Sequence, residues 1–72
     1  MKQFDGKKFG SDVFMHRNDL KKTRNEYAMI FGLSRNSGYM INHIESGRTI
    51  LRINLIYNIC AAMGKDINEY FV

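Results

Sequence analysis

A compact all-α bundle of about five short helices is the fold this sequence predicts, and three observations carry the prediction. Apolar residues recur at helical spacing, most clearly at Ile53, Ile56, Ile59, Cys60 and Met63. Helix-start signals stand ahead of apolar stretches: Thr23 three residues before Glu26, and Asp66 before Ile67. Glycines at 6, 10, 32, 47 and 64 punctuate the chain, and proline is missing throughout. At 72 residues and 44% hydrophobic composition there is material for one domain, with no internal repeat and no low-complexity tract.

The elements follow in order. Residues 1–8 read as a flexible basic arm, because MKQFDGKK holds three lysines and a glycine, while Phe4 and Phe9 are able to tuck onto a domain spanning 9–72. A first helix is expected from Ser11 or Asp12 as N-cap to about Asp19, with Val13 and Phe14 inward, Arg17 outward and His16 a surface or partly packed imidazole. The second helix has a firmer start. In TRNE the Thr23 hydroxyl can accept from the Glu26 amide while the carboxylate reaches back to the Thr23 amide, which places Arg24 first in the helix. Tyr27, Ala28 and Phe31 make its apolar face with Ile30 beside them, and Gly32 follows as the turn residue.

The next stretch, SRNSGYMINHIESGR (residues 34–48), has two characters when wound at 3.6 residues per turn. Met40, Ile41 and Ile44 gather on one side; Tyr39, Asn42, His43 and Ser46 gather on the other, with Arg35 at the same azimuth if the helix reaches it. Ser34, Asn36 and Ser37 are the candidate caps. A free helix surface usually shows lysine and glutamate pairs, whereas this polar side offers amide, imidazole, phenol and hydroxyl groups with no acid among them. Beyond Gly47, the run from Leu51 to Met63 is a central helix whose stripe is widened by Leu55 and Tyr57, and KDINEYFV is a last short helix capped by Asp66, with Ile67, Tyr70 and Phe71 folding back.

Charge and chemistry narrow the function classes. From Arg17 to Arg52 there are seven basic residues against three acidic ones, which accounts for the whole net charge of +4. A basic face of this kind favours a polyanion, nucleic acid or an anionic membrane surface, with a merely solvated surface as the alternative. No stretch approaches the roughly 18 apolar residues of a membrane span, and the N-terminus has no apolar run of the signal-peptide kind, so a cytoplasmic protein is expected. Cys60 is the single cysteine, which rules out an internal disulfide; within the apolar stripe it reads as a small core residue. His16, His43 and Cys60 lack metal-ligand spacing, and neither paired acids nor a phosphate loop is present, so neither an enzyme nor a metal, cofactor or small-molecule ligand is expected.

Four pieces of sequence taken together resemble the helix-turn-helix domain of the Cro-repressor-like (XRE) family of bacterial and phage regulators over roughly residues 9–71. TRNEYAMIFG is similar to the family's capped second helix with alanine before a turn glycine. INHIESGR is similar to the close of its third helix. Gly47 and Gly64 keep its interval across the fourth helix, and GKDINEYF resembles its ending. There are departures: the span from Gly32 to Ile41 is about three residues longer than usual, through a longer second helix or an enlarged turn. Leu51 and Arg52 replace the usual proline and serine, removing an N-cap, and Lys65 stands where an apolar residue is common.

The resemblance implies a lambda-repressor-like fold and sequence-specific binding to double-stranded DNA, with the helix around residues 36–46 in the major groove. Asn42 would then pair with adenine and Arg35 with guanine, while Tyr39 or Ser37 would reach a phosphate or a thymine methyl, His43 would supply one hydrogen bond, and Asn36 would join the contact set. Arg24 and Arg48 would meet phosphates, aided by the amides at the start of the second helix. A single recognition helix reads few base pairs, so a homodimer on half-sites is implied, formed before or on DNA. A transcriptional repressor is the expected role; the rival is a protein-interaction module, such as the antitoxin of a toxin–antitoxin pair, working through the apolar face of residues 51–63.

Overall fold

The computed structural model describes residues 2–48 and 52–72, which form four α-helices and a 3-10 turn. The elements are α1 (Gly6–Asp19), α2 (Arg24–Ile30), α3 (Gly38–Glu45), α4 (Ile53–Met63) and a 3-10 turn, Ile67–Tyr70. Helix α3 packs against both α1 and α2, and one core of Phe9, Val13, Tyr27, Ile41, Ile44, Ile59 and Tyr70 joins the elements. Among the described residues no helix is long and apolar enough to cross a membrane.

Helix α1 departs most from expectation. It begins at Gly6, with the Asp5 side chain accepting from Lys8 N at 3.1 Å, and not at Ser11 or Asp12. The earlier start makes Phe9 the first inward anchor, so positions four and eight further on, Val13 and Arg17, share the buried face. Phe14 falls to the flank of that face and is 47% exposed, whereas Arg17, expected outward, is 9% exposed. Gly10 explains how close this face comes to α3: a Cβ there would stand 2.2 Å from the carbonyl oxygen of Ile44. The segment expected as an arm is tied to the other end of the chain. Gln3 and Val72 exchange two backbone hydrogen bonds of 2.8 Å, and Asp5 N donates to Tyr70 O at 2.6 Å. Phe4 accordingly packs edge-on to Phe9 and Phe71.

The other elements keep closer to the sequence pattern. The Thr23–Glu26 capping box is formed on both sides, and Arg24 is the first residue of α2. Helix α2 stops at Ile30, so the lengthened span before α3 is an enlarged turn and not a longer helix. Gly32 makes that stop possible: at φ +80° its amide donates to Met29 O while the Leu33 amide donates to Ala28 O, closing a left-handed C-terminal motif. Within α4, Leu55, Ile56, Ile59 and Cys60 are buried, but Ile53, expected in the stripe, lies at the flank of that arc and is exposed, as is Tyr57. Arg52 precedes α4 without a side-chain cap bond, and Leu51, the other position considered there, is outside the described residues. Asp66 caps the final turn through Asn68 N at 2.9 Å, with Tyr70 buried beneath it.

Two buried phenols are each satisfied by one partner from α1. Tyr27 OH meets His16 Nδ1 at 2.8 Å, which accounts for the partly packed imidazole, and Tyr70 OH donates to Asp12 Oδ2 at 2.7 Å. Burial raises the pKa of both phenols well above the ordinary tyrosine range, reinforced at Tyr27 by the negative charge of Glu45 and at Tyr70 by the Asp12 hydrogen bond.

Candidate nucleic-acid interface

Helix α3 is fixed at both ends by side chains from other helices. At its start Ser37 makes no side-chain cap bond, and its hydroxyl pairs instead with Ser34 Oγ at 2.9 Å. The cap comes from α2: Asn25 Oδ1 accepts from Gly38 N at 2.8 Å, in space that a Cβ on residue 38 would occupy. None of the expected caps, Ser34, Asn36 or Ser37, bonds the start of α3 through its side chain: Ser37 stands at the N-cap position, but its hydroxyl is engaged with Ser34.

At the other end Glu45 binds two guanidinium groups. Arg17 Nε donates to Oε2 at 2.6 Å and Nη2 to Oε1 at 3.2 Å, and Arg24 Nε donates to Oε1 at 3.1 Å. Arg17 also donates through Nη1 to Lys22 O at 3.0 Å, so one network, buried at Arg17 and open at Arg24, links α1, the α1–α2 loop, α2 and α3. With two cations sharing a single carboxylate, the cluster keeps a net positive charge.

Between these anchors Met40, Ile41 and Ile44 face the core, and the opposite side lies open. Tyr39 is 63% exposed, Asn42 is exposed, and neither side chain makes a hydrogen bond among the described residues. His43 is half-buried at the edge of this face; Arg48 Nη1 approaches its Nδ1 at 3.3 Å. With Nδ1 accepting from that guanidinium, a neutral ring carries its proton on Nε2 and presents a donor. Ser46 turns its hydroxyl to His43 O at 2.9 Å. An open groove beside the face is lined by Arg17, Thr23, Arg24, Asn25, Gly38, Tyr39 and Asn42.

The structure therefore brings Arg24, Tyr39, Asn42, His43 and Arg48 to one side of the molecule, on or beside α3. Arg35 and Asn36 do not belong to the helix; both are exposed on the turn before it, so Arg35 lacks the azimuth it would share with Asn42 in a longer helix. Ser37 is half-buried with its hydroxyl engaged. Three residues that shape the face were not singled out as site residues from sequence: Asn25, Arg17 and Glu45, whose partners lie 13, 28 and 21 positions away. The one local sign was the inward spacing of Phe9, Val13 and Arg17, legible once the helix is started at Gly6. No family model, curated protein or solved structure matches the chain.

Proposed function

We propose that this protein binds double-stranded DNA in a sequence-specific way and acts as a small transcriptional regulator, a repressor. In this reading α2, the enlarged turn and α3 form a helix-turn-helix pair of the Cro-repressor-like kind, with α3 entering the major groove. The observation that carries it is the unpartnered face of α3: an exposed phenol and an exposed amide stand opposite a buried apolar face on a helix held rigidly at both ends. Base edges in the major groove present donor and acceptor patterns that such groups read, Asn42 pairing with adenine and the Nε2 donor of His43 meeting an acceptor such as guanine O6 or N7. Arg24 and Arg48, both exposed and flanking the face, meet phosphates. Arg35 and Asn36 on the preceding turn extend the contact toward the backbone, and Ser37 acts by shaping that turn. Two copies on half-sites about one helical turn apart give the contact length that specific affinity needs.

The test is selection of bound duplexes from a random pool. Enrichment of a two-fold symmetric motif supports the reading, and a pool that stays random after selection contradicts it. A second reading has its own observation: Ile53 and Tyr57 leave apolar surface exposed along α4, at 59% and 62%. Docking of a protein partner there, as in an antitoxin, would give binding insensitive to salt, whereas phosphate contacts weaken steeply with salt.

A further inference from the structure

The enlarged turn and the start of α4 enclose a groove that the DNA-binding reading leaves unused. Phe31 and Leu33, on either side of the left-handed Gly32, line it from the turn, half-buried against the core. From α4 come the buried Leu55 and the exposed Ile53, with Arg52, Asn54 and Asn58 exposed beside them. Neither Tyr57 nor any of Arg24, Tyr39, Asn42, His43 and Arg48 lines it. Its volume is about 390 Å³, at the lower end of ligand-site sizes. Asn54 and Asn58 stand one helical turn apart, and neither side-chain amide makes a hydrogen bond among the described residues. Between Tyr27 and Lys65 the chain has one acid, Glu45, whose carboxylate is held by Arg17 and Arg24. The groove is therefore apolar within, set with open amides and edged by a cation.

We infer that this groove docks a short extended segment of a protein partner, one that carries a bulky apolar side chain beside a carboxylate. Spacing argues for extended backbone. Four residues of helix rise by about 6 Å, and two residues of extended chain advance by about 6.6 Å. The amides of Asn54 and Asn58 can therefore meet alternate peptide groups, donating to a carbonyl and accepting from an N–H. Bonds to the main chain hold a peptide whatever its sequence, and the recess beside them selects the side chain. Phe31, Leu33, Ile53 and Leu55 receive the apolar group with release of water, and Arg52 pairs with the carboxylate. The same features disfavour other occupants. Hydrocarbon walls with a single cation give a phosphate backbone little to bind, and a second copy of a chain of net charge +4 would bring like charge to a rim without an acid. The inference goes beyond DNA binding and does not depend on it.

The experiment uses the full chain and a displayed library of random linear peptides. Selection is expected to enrich sequences with one large apolar residue and an aspartate or glutamate beside it. The best peptide is then titrated by fluorescence anisotropy against three exposed-site variants. Asn54→Ala and Asn58→Ala are each expected to bind it about fivefold more weakly, the effect of one net hydrogen bond. Arg52→Glu is expected to turn the preference of the library from acidic to basic residues. If the selected sequences stay random, or if none of the three substitutions changes peptide affinity, the docking site is overturned while DNA binding stands. A loss of affinity for the selected duplex in Asn54→Ala and Asn58→Ala, with peptide binding unchanged, would assign the groove to DNA and overturn it as well. Sedimentation separates the remaining occupant: a parent dimer that Asn58→Ala dissociates would place a second copy in the groove, and the inference would fall.

Discussion

Helix α3 carries two polar clusters that differ in one respect. The side chain of Glu45 is buried and accepts three hydrogen bonds from Arg17 and Arg24; the side chains of Tyr39 and Asn42, on the other side of the same helix, have none among the described residues. A polar group already partnered inside the protein holds the fold, and a polar group left open on a rigid support is available to a ligand. The first cluster therefore sets the position of the second. Arg24 spans the two, since its Nε is bound to Glu45 while its side chain stays half exposed in the groove beside Asn42.

The comparison can be broken most forcefully at its buried end. Glu45→Ala leaves Arg17 without its carboxylate in a buried site and is expected to cost about 3 to 5 kcal/mol of folding stability, read from urea unfolding. A loss below about 1 kcal/mol would mean that the network does not hold α3. Asn42→Ala has the opposite signature: folding stability unchanged within about 0.5 kcal/mol, and affinity for the selected duplex down by about 1 to 3 kcal/mol with little change on random DNA. Loss of stability with unchanged affinity would assign Asn42 to the fold. Asn25→Ala removes the cap borrowed from α2 and is expected to destabilise by about 1 kcal/mol, with Gly38 amide exchange accelerated ahead of the core.

Titration sharpens the same contrast on the fold side. The phenols of Tyr27 and Tyr70 have raised pKa values in the folded protein, so above the ordinary tyrosine pKa of about 10 the unfolded chain loses protons that the folded chain keeps. Stability is thus complete below that pH and is expected to fall as the pH rises further, which thermal unfolding between neutral and strongly alkaline pH would record. Glu26 has the reverse sign. Hydrogen bonding from Thr23, backbone first and then side chain, lowers its pKa, so its support of the α2 cap is present above the ordinary carboxylate pKa and is lost as pH falls through the folded value.

Signals confined to one turn of chain were legible in the sequence: the Thr23–Glu26 box, the Asp66 cap, the stop at Gly32 and the two faces of α3 each follow from residues within a few positions of one another. What was misread depended on contacts between distant segments. Two glycines in the first turns of α1 argue against helix by propensity, yet Gly10 is there because the Ile44 carbonyl packs where a side chain would be. Starting that helix late rotated its inward face toward Phe14 and left Arg17 outside. The Arg17–Glu45 pair and the Asn25 cap have no local signature, since each joins helices through the fold itself. Arg35 shares the azimuth of Asn42 only in a helix that reaches it, and Asn36 is a candidate cap only for an earlier start; α3 begins at Gly38, where Asn25 caps it.

The central claim is that the open side of α3 meets DNA, and amide NMR during titration with the selected duplex tests it most directly. The account predicts that the largest shifts fall on Tyr39, Asn42 with its side-chain amide, His43 and Arg48, with smaller ones at Arg24. Shifts confined to Ile53, Tyr57 and the rest of α4, with the α3 signals unmoved, would contradict it.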